Sequence, residues 1–383
     1  MELFSRRTFL KGTLVGIGSV AAFGLAGCSS APQDEAPVAD GGDAEGAAKA
    51  TEPVSQEDWT FEDQAGTTVT VSVPVQRMVV MQHHSLDMLA QLGMQDKVVG
   101  TEKNWEGDLG AYMRDVFPGI DDLPTPGDLT DWSVEAIAAL KPDVVIAASQ
   151  ADPDAMKQVS ELGIPVVVVS LRGEGKQAEA QNPRLADADA AYTEGCQWAI
   201  STLGRLTGAD QKAGDIWKMC LESRAIVDEA IGQMDDADRI RVFVANTKEQ
   251  TYGNDKYVGC QLLRAGAVNV AAEDIQGYKP YTFEMLASWD PEVIIVQDRY
   301  MDVYDTITAD AKYQELQAVK NGKVLLAPYW TKPWGNPDTD SIALGELWLA
   351  NQFYPEKVSA DTVREYAERF YRDFYGVEFT GTV

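Results

Sequence analysis

The chain alternates between short apolar runs and amphipathic stretches. Residues 68–73 alternate polar and apolar side chains, which is typical of a strand with one exposed face. The other strand candidates are short β-branched or apolar runs, as expected for strands buried on both faces of a parallel sheet. They cover residues 78–81, 144–147, 166–169, 242–245, 293–296 and 324–327, with helical patterns at 86–92, 134–140, 155–162 and 283–287. This alternation predicts an α/β protein with doubly wound, mainly parallel sheets.

One segment of this pattern occurs twice. Residues 132–147 and 281–296 each contain a hydroxyl residue, an acid two positions later, a short helical pattern, a proline and an apolar run. Ser133 and Thr282 are expected to cap the two helices. A second, weaker match pairs residues 89–93 with residues 262–266, so both matches occur in the same order along the two halves of the chain. The sequence therefore predicts two lobes of similar construction.

Two long helical patterns lie between the predicted lobes, at residues 188–206 and 209–234. The second would be about 39 Å long at 1.5 Å per residue. A helix of that length predicts a rigid connection that restricts hinge opening. The predicted divisions are an N-terminal lobe at 59–207, a linking helix at 208–235 and a C-terminal lobe at 236–383.

The N-terminus has the pattern of an export signal. Arg6 and Arg7 precede a short apolar stretch at 14–26, as in twin-arginine signal peptides. Residues 25–28 resemble a bacterial lipobox, so we predict that residues 1–27 are removed and that Cys28 is acylated. Residues 28–58 are rich in Ala, Asp, Glu, Gly and Pro, which predicts a disordered acidic tether. We therefore expect a lipid-anchored protein on the extracytoplasmic face of the cell membrane.

Composition excludes several classes of function. The 383 residues carry 60 acidic and 32 basic side chains, a net charge of −28, which disfavours nucleic-acid binding. The chain has two histidines, so a metal site that needs three or more of them is excluded. Three cysteines follow the tether: Cys196, Cys220 and Cys260. Two of them could form one disulfide, or all three could be buried thiols, and we favour buried thiols.

Ligands of doubly wound sheets bind beyond the carboxyl ends of the strands. The segments that follow the predicted strands are rich in Trp and Tyr, which suits a large, flat or partly apolar ligand. Arg299 and Lys332 would meet its acidic groups. The candidate ligand-binding residues are His83, His84, Trp105, Trp132, Tyr252, Arg299, Tyr300, Trp330, Lys332 and Trp334.

The order of several segments resembles a known family, the helix-linked binding proteins of ABC importers that carry ferric siderophores, haem and cobalamin. The resemblance covers about residues 59–383. Its segments are residues 76–80, 92–100, 133–143, 265–270, 318–324 and 343–350.

The resemblance implies a cleft between the lobes and a non-covalent cycle of capture, docking on the permease and release, without a catalytic cofactor. In the family, one exposed glutamate per lobe pairs with arginines of the permease, and Glu135 and Glu284 match those positions. We expect a monomer that binds an iron complex, a ferric siderophore or haem, with His83 or His84 as a possible axial ligand.

Four alternatives stay open at this point. Two of them are a receptor for bare zinc or manganese and a surface lipoprotein that signals or acts as a chaperone without feeding an importer. A cobalamin or corrinoid receptor of the same family would use the same cleft. A redox enzyme exported by the twin-arginine pathway would belong to another class, although the sequence after residue 58 has no common catalytic motif.

Overall fold

A computed structural model of the chain describes residues 56–174, 184–232 and 234–383. The predicted signal peptide with Arg6 and Arg7, the predicted lipidation site Cys28 and nearly all of the predicted tether lie outside these residues. Strand β1 (Glu57–Glu62) begins two residues inside the predicted tether, because it pairs with β2 (Thr68–Val73) in an antiparallel hairpin.

The first lobe contains a four-stranded parallel sheet. Its strands are β3 (Met78–Met81), β4 (Val98–Thr101), β5 (Val144–Ala148) and β6 (Val166–Val169), in the spatial order β4-β3-β5-β6. Its helices are α1 (His83–Leu92), α2 (Trp105–Asp108), α3 (Met113–Val116), α4 (Val134–Ala139) and α5 (Pro153–Glu161). Every residue of β3, β5 and β6 is buried, as the apolar runs predict.

The second lobe repeats that strand order. The parallel strands β7 (Ile240–Ala245), β9 (Ala267–Asn269), β11 (Val293–Gln297) and β12 (Val324–Ala327) lie in the order β9-β7-β11-β12. A small antiparallel pair is formed by β8 (Gln250–Tyr252) and β10 (Tyr278–Pro280). The helices are α8 (Tyr257–Arg264), α9 (Phe283–Trp289), α10 (Met301–Ala309), α11 (Gln317–Lys320), α12 (Glu346–Phe353) and α13 (Ala360–Phe370).

The two halves of the internal repeat occupy equivalent places in the two sheets. In each sheet the second strand along the chain stands at one edge, and the first, third and fourth follow across the sheet. Helices α4 and α9 each precede the third strand, and Ser133 Oγ and Thr282 Oγ1 accept hydrogen bonds from the first-turn amides of these helices. The predicted caps and the predicted two-lobed α/β fold are both confirmed.

A helical hairpin joins the lobes. Helix α6 (Ala188–Thr207) ends at Gly208, whose φ of +79° suits glycine, and α7 (Asp210–Ile231) runs back beside it. Helix α6 starts against the second lobe, where Tyr192 Oη donates to the carbonyl of Asp255 at 3.0 Å, and ends against the first lobe. Helix α7 has 22 residues and is about 33 Å long, shorter than predicted because the chain leaves the helix at Gly232.

Buried ionic and polar contacts fasten the hairpin to the second lobe. Arg224 of α7 contacts Glu346 of α12, with a distance of 2.9 Å from Nε to Oε2, and Tyr257 Oη donates to the same carboxylate at 3.1 Å. Cys196 and Cys220 are buried in the same core and Cys260 is buried in α8, all three as free thiols. Among the described residues, no helix combines the length and apolar composition that crossing a membrane requires.

Candidate ligand-binding cleft

The carboxyl ends of the two sheets supply the side chains that meet between the lobes. His83 starts α1 directly after β3, and Glu102 follows β4. Arg299 follows β11, and Trp334 lies in the segment after β12. Because parallel strands end at one edge of a sheet, this is the place where the sequence predicts the ligand site.

Arg299 of the second lobe reaches across to the first. Its Nη1 donates to the backbone carbonyls of Gly107, at 3.4 Å, and Asp108. Its Nε donates to Gln297 Oε1 at 2.8 Å, and the guanidinium lies over the Trp334 ring at 4.7 Å. The guanidinium is therefore held by both lobes at once.

The two histidines lie beside this guanidinium. Their ring centroids are 4.4 Å apart, and the ring of His84 meets that of Trp334 edge-on at 5.6 Å. Burial and the charges of Lys332, Arg299 and Lys256 lower the pKa of His84 to about 3, and the pKa of His83 is also lowered, mainly by burial. Both rings are consequently neutral at neutral pH, and each can donate one N–H.

Two further cations come from opposite lobes. Arg172 follows β6 of the first lobe, Lys256 precedes α8 of the second, and each is 2% exposed. Burial and the positive charge of Arg172 lower the pKa of Lys256 to about 8. The ring of Tyr252 packs at 4.8 Å from that of Tyr278. Burial raises the pKa of Tyr252, and the nearby positive charge of Arg299 opposes that rise.

Lys332 lies in a buried ionic cluster that we call the Lys332 cluster: Lys332, Asp87, Asp338 and Asp340. All four side chains are 0% exposed. Lys332 Nζ contacts Asp87, lies 2.6 Å from Asp340 Oδ2 and lies 3.4 Å from Asp338 Oδ2. The cluster fastens α1 of the first lobe to the segment that follows β12, so the ammonium group is engaged within the protein.

Hydroxyl and amide groups complete the surroundings of these carboxylates. Tyr112 Oη and Tyr375 Oη donate to Asp87 Oδ1 at 3.0 and 2.9 Å, and Gln91 Nε2 donates to Asp87 Oδ2 at 3.1 Å. Burial raises the pKa of Asp338 to about 8 and that of Asp340 well above its usual range, whereas the Lys332 ammonium holds the pKa of Asp87 down against the effect of burial.

The other predicted binding residues lie in different places. Tyr300 stacks on the Arg299 guanidinium at 5.0 Å and stays close to the cleft. The tryptophans Trp105, Trp132 and Trp330 are 6%, 8% and 0% exposed and pack within the cores, Trp330 against Trp348 and Phe379. The structure thus brings His83, His84, Tyr252, Arg299, Tyr300 and Trp334 together and places Trp105, Trp132, Trp330 and Lys332 in the interior.

The predicted docking residues occupy equivalent exposed positions. Glu135 and Glu284 are each the second residue of their helices, α4 and α9, and both side chains are exposed. The hydroxyl of Thr282 and the backbone amide of Glu284 itself lower the pKa of Glu284, so this side chain carries a negative charge at neutral pH.

Several buried charged residues of this region were not predicted. The sequence does not show which charged side chains are buried. It therefore gives no reason to separate four residues from ordinary surface charges: Arg172, Lys256, Glu102 and Asp87. A usable signal exists for Glu102, which directly follows a buried strand at the edge where ligands bind.

Comparison with known proteins identifies the family. A model described as periplasmic binding protein matches residues 78–329, about two thirds of the chain. The chain belongs to this periplasmic binding protein family.

Two known proteins of this kind are similar over most of their length. The molybdate-binding protein MolA of Haemophilus influenzae is 37% identical over 318 residues, covering 82% of this chain and 91% of MolA. The solved structure of MolA bound to molybdate matches with a TM-score of 0.81 at 35% identity, covering 84% of this chain and 99% of that one. YvrC of Bacillus subtilis, an uncharacterised ABC transporter substrate-binding lipoprotein, is 24% identical over 272 residues, covering 69% of this chain and 76% of YvrC.

Family membership confirms the resemblance and part of the predicted function. The chain is a substrate-binding protein of an ABC transporter, and proteins of this family work outside the cytoplasm with a permease. Its relatives are binding proteins and not enzymes, so the alternative of an exported redox enzyme is excluded. The predicted iron complex is not confirmed as the ligand, because MolA is a molybdate-binding protein.

Proposed function

We propose that this chain captures a small oxyanion of the molybdate class between its lobes and delivers it to an ABC importer permease. The observation that carries the proposal is the pair Arg172 and Lys256, two cationic side chains from opposite lobes that are each 2% exposed. Cationic side chains from both lobes would give an oxyanion bound between them charged donors on two sides.

The neighbouring groups suit the same ligand. Arg299 adds a third positive charge, and the neutral rings of His83 and His84 offer N–H donors beside it. Charged donors of this kind give oxyanions short and strong hydrogen bonds. The 37% identity to a molybdate-binding protein supports the same ligand class.

An iron complex with an acidic chelator is the second candidate. The same cations would meet its carboxylates, and the rings of Tyr252, Tyr300 and Trp334 flank Arg299. Trp330 is 0% exposed and packs against Trp348 and Phe379, so the aromatic lining is smaller than the sequence predicts, which disfavours haem and cobalamin.

Export and docking complete the proposal. Arg6 and Arg7 direct the folded protein to the twin-arginine pathway, and an acylated Cys28 anchors it to the outer face of the cell membrane. Glu135 and Glu284 present one negative charge per lobe to basic pockets of the permease, where charge complementarity speeds association.

Titration calorimetry on the purified, dialysed chain tests the ligand class. Lys256→Met and Arg172→Met should each weaken molybdate binding by about 10–100-fold, because a hydrogen bond to a charged group contributes about 1.5–3 kcal/mol. Lys157→Met removes an exposed lysine from α5 and serves as the control. Tight binding of ferric citrate without binding of molybdate would instead support the second candidate.

A further inference from the structure

Three side chains of the first lobe converge at the edge of the cleft. His83, Glu102 and Asp108 each place one potential metal-ligand atom within 4.8 Å of the other two. In the part of the chain that the structure describes, one other group of this kind exists, Asp87 with Asp338 and Asp340. The Lys332 ammonium already lies among the oxygens of that second group, so only the first group is suited to a metal ion.

Two atoms of the His83 group have no hydrogen-bond partner among the described residues. Glu102 is 0% exposed; its Oε2 accepts from the backbone amide of Asn104 at 2.6 Å, whereas Oε1 accepts nothing. His83 Nδ1 is also buried without a hydrogen bond and lies 3.9 Å from Asp108 Oδ2. Buried polar atoms are rarely left without a partner, and a bound metal ion would satisfy both of these atoms at once.

We propose that His83, Glu102 and Asp108 bind a divalent first-row transition-metal ion at the edge of the cleft, with Zn²⁺ as its probe. One imidazole and two carboxylates are ligands that Zn²⁺ accepts, and a site with three protein ligands keeps a fourth position open. Ligand distances of about 2.0–2.2 Å require donor atoms roughly 3.3 Å apart. His83 Nδ1 and Asp108 Oδ2 are 3.9 Å apart, so binding the ion requires these two atoms to move closer by roughly 0.6 Å.

The ionisation of the three groups is compatible with a cation. The pKa of His83 is lowered, so its ring is neutral and has a lone pair for a metal at neutral pH. Burial raises the pKa of Glu102 to about 7 and also raises that of Asp108, so a cation would stabilise the charged form of both carboxylates.

The local fold holds the ligands in place. His83 is the first residue of α1, Glu102 directly follows β4, and Asp108 is the last residue of α2. Arg299 fixes the end of α2 through the carbonyls of Gly107 and Asp108. The Asp108 carboxylate is 37% exposed, which gives an ion a path to the site.

The experiment measures Zn²⁺ alone, without any oxyanion, so that its result is independent of the proposed function. The full chain carries Cys28→Ser to remove the one thiol outside the described residues, is freed of metal with a chelator and is titrated with ZnCl₂ by calorimetry. We expect one ion per chain and a rise of the melting temperature with Zn²⁺. A crystal grown with Zn²⁺ should show anomalous density between the three side chains.

Variants separate the proposed ligands from their neighbours. His83→Ala, Glu102→Gln and Asp108→Asn should each weaken Zn²⁺ binding by about tenfold or more, since even groups that only orient a ligand contribute 10–100-fold. Glu106→Gln removes an exposed carboxylate from the same helix as Asp108 and should bind as the parent does. Melting curves without metal establish that each variant is folded. No saturable binding by the parent, or equal binding by folded ligand variants and the Glu106→Gln control, would overturn the proposal.

Discussion

Replacing Lys332 with methionine should destabilise the protein strongly and in a pH-dependent way. The substitution keeps a side chain of similar length but removes the one ammonium group that contacts Asp87, Asp338 and Asp340. Burial already raises the pKa values of Asp338 and Asp340, so these two carboxyls tend to be protonated. The Lys332 ammonium holds the pKa of Asp87 down in the parent protein. In the Lys332→Met variant, the buried Asp87 carboxylate would have no cation beside it.

The size of the effect follows from the proton that Asp87 must take up. Protonating a carboxyl of ordinary pKa, about 3.9, costs about 4 kcal/mol at pH 7 and about 1.5 kcal/mol at pH 5, at 1.36 kcal/mol per pKa unit. Leaving the carboxylate buried and charged costs a similar amount, about 3–5 kcal/mol. We therefore expect Lys332→Met to lose about 4 kcal/mol at pH 7 and less than half of that at pH 5.

Thermal unfolding measured at both pH values tests this expectation. In a protein of this size, about 4 kcal/mol corresponds to a fall in melting temperature of roughly 8 °C. Lys320→Met is the matched control, because Lys320 is 52% exposed and its partner Glu315 is 88% exposed. That change should alter stability by less than about 0.5 kcal/mol. An unchanged melting temperature of Lys332→Met, or an equal loss at pH 5 and pH 7, would refute the role assigned to the cluster.

Three further predictions concern other parts of the molecule. The pKa of Asp338 is raised to about 8 in the folded protein, so its protonated carboxyl adds to the free energy of unfolding. This stabilisation is fully present below pH 4 and is lost as the pH rises towards 8. Asp338→Asn should therefore reduce the fall in melting temperature over that pH range. Reversing Glu135 and Glu284 to lysine should abolish uptake of the ligand by cells while leaving ligand binding in vitro unchanged; unimpaired uptake would remove both residues from the docking surface. Burial raises the pKa values of Cys196 and Cys220, so neither thiol should react with a thiol reagent until the protein unfolds, and rapid labelling of the native protein would contradict their burial.

The parallel sheets could be predicted from local sequence. An all-valine strand such as Val166–Val169 can satisfy its apolar side chains only when both faces of the sheet are covered, so its pattern identifies its environment. The repeated segments also predicted where α4 and α9 begin, because a hydroxyl N-cap acts on amides three residues away. Five strands were not predicted: β1, β4, β8, β9 and β10. Three of them, β8, β9 and β10, have only three residues each, which is too short to show a periodicity.

The site was harder to predict because its contacts are distant in sequence. Lys332 lies in a segment with Pro333 and Gly335 that reads as an exposed loop, yet its partner Asp87 is 245 residues away. Lys256 and Arg172 each have a polar residue or a glycine on at least one side. Buried and solvent-exposed charged residues both occur in such surroundings, so the local sequence does not separate them. Contacts between elements that are far apart in the sequence, such as that of Lys332 with Asp87, decide which of these charges face inward.

Calorimetric titration of the purified chain with molybdate tests the proposed function most directly, with Arg172→Met and Lys256→Met measured alongside. We expect saturable binding with one anion per chain, weakened in both variants. Absence of molybdate binding by the folded parent protein, or an affinity that neither substitution changes, would contradict the assignment of these two cations to an oxyanion site.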